Sequence, residues 1–339
     1  MREGYRPPSP AGRLFAARRR GRKPRRRLAR AGACLAALGL AALASRAALP
    51  GERGAPLPPE IAAAAGRAED AMRDAMAMIR AEKLAAGRLP EPSGRGLLGE
   101  EYTKLTTTLG SLSAKRTSEN PRWAGVLVER LWGAGLRKGD VVAAGLSGSF
   151  PGLNLALALA CRSLELRLVA VSSVTASTFG ANQPGFTWPE MEVLLARRGA
   201  LRPVSVGVAA GGSGDAAADL EPEARVLAAE IAERSAATLG ARYLAPRSLE
   251  EAIEGRLALY REAAKGGRIS LYANVGGTEA SLGGGEAFLE LASGFVPALP
   301  FDLTKERGVM ARMIESGVPA LTLLNVRDLA LRWGVPIDE

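Results

Sequence analysis

The sequence has no histidine and only two cysteines, and aromatic residues make up 5% of its 339 positions. Without histidine neither a Ser-His-Asp nor a Cys-His nucleophile system can be assembled, and the usual zinc sites lose their commonest ligand. No Cys cluster replaces it, so neither a metal nor a cofactor is expected. Cys34 lies in an apolar stretch and Cys161 in the helix-like run LALALACRSL. The part of the chain after the apolar stretch therefore holds one thiol and forms no internal disulfide, and Cys161 reads as core. Net charge is also scarce over most of the chain. Twelve Lys or Arg stand against Glu3 alone in residues 1–30, so of the formal +10 this tail supplies +11 and the rest carries −1. A nucleic-acid binder carries its basic footprint on the folded domain, so nucleic acid is not an expected partner.

The basic tail is followed by fifteen uncharged residues, 31–45, then Arg46 and the Pro-rich PGERGAPLPPE. A basic stretch leading into an apolar one is the pattern of a signal anchor or signal peptide. The positive-inside bias puts residues 1–30 in the cytoplasm, 31–50 in the membrane and everything after Pro50 outside. The expected location is the cell membrane, single-pass. Cleavage after Ala44 would instead give a secreted protein.

Residues 51–100 read as a linker and a helix, with Met72, Met76 and Ile79 at helical spacing over 61–87, a stripe that fits a core. Asn120 and Pro121 supply a cap and first-turn proline for RWAGVLVERLWGAGL. From Asp140 onward short apolar runs alternate with Gly-rich loops and helices. DVVAAG, LRLVAVSSV, PVSVGVAAG, RISLYANV and VPALTLLNV read as strands, and TWPE and SLEE as capped helix starts. This alternation predicts an α/β fold over 101–339: a doubly wound, mostly parallel sheet with helices on both faces. No internal repeat is present.

In such a sheet the loops at the carboxyl ends of the strands gather at one edge, where ligands bind at the point of strand-order reversal. Three readings compete for GLSGSFPGLN. As an anion cradle it offers backbone N–H groups at a helix start with Ser147, Gly148, Ser149 and Asn154. As a nucleophile elbow it lacks the last glycine of G-x-S-x-G and has no histidine, leaving a Ser-Lys pair with Lys115 as a distant base. The third reading is a plain turn. The loop matches neither the P-loop nor the dinucleotide fingerprint. NVGGTEASLGGGE adds Asn274, Gly276, Gly277, Thr278 and Glu279, and SSVTASTFGANQPGFTWPEME adds Ser177 and Asn182, with Trp188 and Glu190 on the same expected edge. Glu190 and Glu192 are two apart on a helix and do not face each other as an acid/base pair. The side chains of Ser147 and Thr278 are expected near the surface.

Four stretches in order, TTTLGSLSAKRTSENP, KGDVVAAGLSGSFPGLN, SSVTASTFGANQPGFTWPEME and NVGGTEASLG, resemble the poly-γ-glutamate system protein family, and the resemblance runs from Tyr102 to the C-terminus. It implies a membrane-associated role in making, exporting or processing an extracellular capsule-type polyglutamate, with the polymer or other components of that machinery as partners. It carries over no catalytic residue. Two functions stay open: an accessory protein that recognises a small anionic group at the strand-end loops, and an enzyme on γ-glutamyl or sugar-phosphate substrates. The second arises because GLSGS and GGTEAS are similar to sugar-isomerase phosphate loops.

Overall fold

The structure, a computed structural model, describes residues 57–90, 94–284, 293–299 and 307–338. The basic tail, the apolar segment and Cys34 lie outside the described residues. Among the described residues no helix is long and apolar enough to cross a membrane.

Seven strands form one sheet: β1 (Val141–Leu146), β2 (Arg167–Ser173), β3 (Ser205–Ala209), β4 (Arg242–Leu244), β5 (Ile269–Val275), β6 (Gly294–Val296) and β7 (Ala320–Leu323). Their order is β4-β3-β2-β1-β5-β7-β6. All neighbours pair in parallel except β6, which runs antiparallel to β7 at one edge. The five strands read from sequence are present. The two short ones were not legible, because three residues such as RYL or GFV carry no alternation to recognise. Strand order reverses between β1 and β5, with Gly145 of β1 in register with Val171 on one side and Asn274 on the other.

Every residue of β1 is buried, as expected for a strand covered on both faces. One face packs against α1 (Pro59–Ala85), α3 (Arg122–Gly133), α4 (Pro151–Ser163), α5 (Trp188–Arg197) and α10 (Val326–Trp333). The Met72, Met76 and Ile79 stripe of α1 joins this core, as does the buried Cys161. Residues 151–161 of α4 are all buried, which explains why PGLNLALALAC is apolar all round and not amphipathic. Each fully buried leucine there, such as Leu155 or Leu159, contributes about 1.5 to 3 kcal/mol. The opposite face carries α7 (Leu249–Ala263) and α9 (Val309–Glu315), with Tyr260 edge-on to Tyr272 at 5.9 Å. Helix α6 (Pro222–Leu239) packs Ala228, Ile231 and Ala232 against Val208.

Two helix starts act as expected, while α3 begins one residue later than read, at Arg122, with Pro121 and not Asn120 at its N-cap. Asn120 Oδ1 accepts the Arg122 N–H at 3.0 Å, Ser248 Oγ accepts that of Glu251 at 3.2 Å, and Glu190 accepts the Thr187 N–H at 3.1 Å. Glu192 is fully buried and takes the N–H groups of Val204 and Ser205 at 2.7 and 2.9 Å, tying α5 to the start of β3. Burial pushes its carboxyl above the usual range. Glu190 is therefore a cap and Glu192 a structural anchor. Trp188 is fully buried, and its Nε1–H donates at 3.2 Å to Ser172 Oγ near the carboxyl end of β2, so it packs in the core.

Candidate functional site

The loops after β1, β2 and β5 meet at the carboxyl edge, at the point where strand order reverses. Ser147 N–H donates to Val275 O at 3.2 Å, which lays the β1 loop against the end of β5. Gly276 has φ +80°, and a Cβ there would fall 2.8 Å from Ser147 Cβ. On the other side Gly148 presses on the β2 loop, where a Cβ would come within 2.7 Å of Thr175 O. Both glycines are thus required by close approach.

Hydroxyls and amides stitch these loops together. Ser147 Oγ accepts the Ser149 N–H at 3.1 Å, Ser149 Oγ accepts the Ser177 N–H at 3.0 Å, and Asn154 Nδ2 donates to Ser147 O at 2.7 Å. Asn274 Nδ2 donates to Gly276 O at 2.7 Å. Asn182 faces a different segment, donating to Glu100 O at 2.7 Å and accepting the Glu100 N–H at 3.1 Å. Ser147 and Thr278 are not at the surface as expected but buried; Ser177 is buried as well, and Asn154, Asn182 and Asn274 fully so. The physical reason is that the loops pack on one another and on the 99–110 segment above them, so their polar groups satisfy neighbouring backbone. Ser149 and Glu279 are half-buried and Gly277 is exposed. Three buried atoms of the set, Asn154 Oδ1, Asn274 Oδ1 and Thr278 Oγ1, have no hydrogen-bond partner.

Glu279 is not a free ligand group. Its carboxylate takes the Gly214 N–H at 2.6 Å and the Ser213 hydroxyl at 3.3 Å, bridging the β5 loop to the turn after β3. That turn holds Asp215 at φ +62°, and Asp215 forms a fully buried two-point ion pair with Arg256 of α7, both bonds 2.7 Å. Arg256 Nη2 also donates to Ser173 Oγ at 3.1 Å, while its Nη1 has no partner. Burial opposes the Arg256 charge, and the Asp215 carboxylate outweighs it, holding the guanidinium above its ordinary value. Sequence reading missed this pair because its members are 41 residues apart and neither sits in a recognisable motif.

Lys115 is the cation at the centre of the site. It belongs to α2 (Leu112–Ser118), is 1% exposed, and donates to Ser149 O and, at 2.6 Å, to Ser177 Oγ. The Phe150 ring lies 4.0 Å from its Nζ. Burial lowers this ammonium from 10.5 to about 7, so near neutrality it is present both as a cation and as a free amine. The sequence offered Lys115 only as a distant base for the β1 loop. The serine it touches through its side chain is Ser177, in the β2 loop.

A cleft of about 600 Å3 lies beside the site, lined by Leu98, Glu100, Leu112, Arg116, Glu119 and Phe179 among others. Burial raises the Glu119 carboxyl to about 7. A larger cleft of about 750 Å3 opens at the amino ends of β1, β2 and β5, near Asp140, Arg167 and Ser270. Ligands of open α/β sheets bind at the carboxyl ends, where hydroxyls, glycines and Lys115 gather, and the smaller cleft reaches that end through Phe179 of the β2 loop, although neither Lys115 nor any of the expected site residues lines it. Among the described residues no group of His, Cys, Asp or Glu could hold a metal ion. No protein-family model, curated protein or solved structure matches the chain.

Proposed function

We propose that the chain is an accessory protein of poly-γ-glutamate synthesis or export, held at the membrane by its N-terminal segment, whose switch-point loops recognise a small anionic group such as a glutamyl carboxylate. The resemblance of the loop sequences to that family supports the pathway. One observation supports the recognition chemistry: Lys115 sits directly beneath the Ser149 and Ser177 loops at the strand-order reversal. A carboxylate placed there would gain charge-assisted hydrogen bonds of about 1.5 to 3 kcal/mol each. Ser147→Ala with Thr278→Ala should therefore weaken binding of labelled polyglutamate by the full-length protein at least tenfold and lower polymer output, with an unchanged far-ultraviolet spectrum. Wild-type binding and output from the double variant would remove these loops from the function. A reporter fused after Glu339 should face outside; cytoplasmic activity of that fusion would remove the membrane topology.

A second reading, an enzyme acting on γ-glutamyl or sugar-phosphate substrates, is favoured by the 2.6 Å contact between Lys115 Nζ and Ser177 Oγ.

A further inference from the structure

We infer that Ser177 is a nucleophile and Lys115 its general base, in a site that transfers an acyl group from an amide or ester to water; the assignment rests on the second reading above and fixes its residues. In a chain without histidine, a lysine is the side chain left to take a serine proton near neutrality, and the demands on it are geometric. Its amine must lie within hydrogen-bond reach of the hydroxyl, and here Nζ is 2.6 Å from Ser177 Oγ. The amine must also be held, and Ser149 O and the Phe150 ring fix it from the other side. Ser177 is held in turn by its own N–H, which donates to Ser149 Oγ at 3.0 Å. Two residues on, Phe179 has φ +61°, a conformation bulky side chains seldom adopt and one that clusters at functional sites.

The surroundings of Lys115 leave the amine free to lose its proton. Ser149 and Phe150 face it from the β1 loop, Ser177 and Thr178 from the β2 loop, and Gly110 from above; none of them is charged. Arg116 and Glu119, its neighbours in sequence, line the adjoining cleft. Burial alone brings the ammonium down to about 7.

Ser177 is 5% exposed, and the Gly110 backbone covers it. A Cβ on Gly110 would lie 3.0 Å from both Ser177 Oγ and Lys115 Cε, so the backbone of this glycine packs closely over the pair and a substrate reaches the hydroxyl only when the 109–110 segment moves aside. The cover is fastened by the Thr178 hydroxyl, which accepts the Gly110 N–H at 2.7 Å, and beside it Leu109 is 79% exposed. The 600 Å3 cleft is lined by Leu112 and Arg116 of α2 and by Phe179, which flank Lys115 and Ser177 in sequence, and would take the acyl chain. Its wall is apolar at Leu98, Leu112 and Phe179 and sets Arg95 and Arg116 against Glu100, Glu101, Glu119 and Asp338, so the γ-glutamyl class is taken from the second reading and not from the charge of the cleft.

The step balances without an oxidant or a metal. Lys115 Nζ takes the Ser177 proton as Oγ bonds to the acyl carbon, and returns it to the leaving amine or alcohol as that bond breaks. Water then bonds to the ester carbon, giving a proton to Lys115, and Ser177 Oγ leaves with that proton. The sum is amide plus water to acid plus amine.

The test is covalent labelling of the full-length protein by a fluorophosphonate, read by peptide mass mapping. One adduct on Ser177 is expected. Its rate should climb about tenfold per pH unit below pH 7 and level off above, and should fall at least a hundredfold in Lys115→Arg, which keeps the charge but stays protonated and so cannot accept the serine proton. The wild-type pH profile needs no variant, so a misfolded Lys115→Arg leaves the test intact. No adduct on Ser177 at pH 9 in folded protein, an adduct on another residue alone, or a rate flat from pH 6 to 9 would overturn the assignment. Labelling of Ser177 with no cleavage of polyglutamate would keep the nucleophile and discard the γ-glutamyl substrate. Cleavage that survives Ser177→Ala would overturn the nucleophile while keeping the enzyme reading.

Discussion

Lys115→Met should change the way stability responds to pH, and the direction follows from the burial of this lysine. Its ammonium falls from 10.5 to about 7 in the folded protein. Between those values the unfolded chain holds a proton that the folded one has lost, so unfolding becomes less favourable as pH rises. Below about pH 7 both states are protonated and the contribution is flat. Across pH 7 to 9 the wild type should gain about 2 kcal/mol over Lys115→Met, at up to 1.36 kcal/mol per pH unit. Taking the difference between the two proteins removes Lys83 and Glu119, which burial also displaces to about 7. Denaturant titrations followed by tryptophan fluorescence give the number, since Trp123 and Trp188 are fully buried and report on core exposure. Parallel pH profiles for the two proteins from pH 5 to 9 would mean that Lys115 keeps its solvent, and the account of the site as a dry cation would fail.

Gly148→Ala should lower the thermal midpoint, costing about 1 to 3 kcal/mol, because the new methyl would meet the backbone oxygens of Thr175 and Val174 at 2.7 and 3.1 Å. A calorimetric midpoint equal to that of the wild type would show that these loops slide past each other. Arg256→Met strands Asp215 as a buried charge and should cost about 3 to 5 kcal/mol, whereas Arg256→Met with Asp215→Asn should cost less. Equal losses for the single and double variants in denaturant titrations would exclude the stranded charge as the cause.

Much of the fold was legible because it is written in local signals. VVAAGL and LALALA show a buried strand feeding a buried helix, Thr187 and Glu190 cap α5, and the methionine stripe of α1 finds a core. The meeting of the Gly145 and Gly276 loops was legible too, since in a doubly wound sheet the strand-end loops share an edge. What could not be read is long-range. Lys115 and Ser177 are 62 residues apart, and Asp215 and Arg256 are 41 apart. Neither pair follows a helical or strand period. Ser147 and Thr278 in Gly-rich loops read as surface chemistry, yet both are buried, because packing of loop on loop decides exposure and composition does not.

Both edges of the sheet end in three-residue strands, β4 and β6, and β6 runs against its neighbour. A strand added by another molecule gains backbone hydrogen bonds in proportion to the length of edge it finds, and three residues offer one or two. Such short edges give poor templates for growing the sheet across molecules. Assembly with further copies or with other proteins would therefore proceed through helix surfaces and loops, where side chains rather than backbone choose the partner.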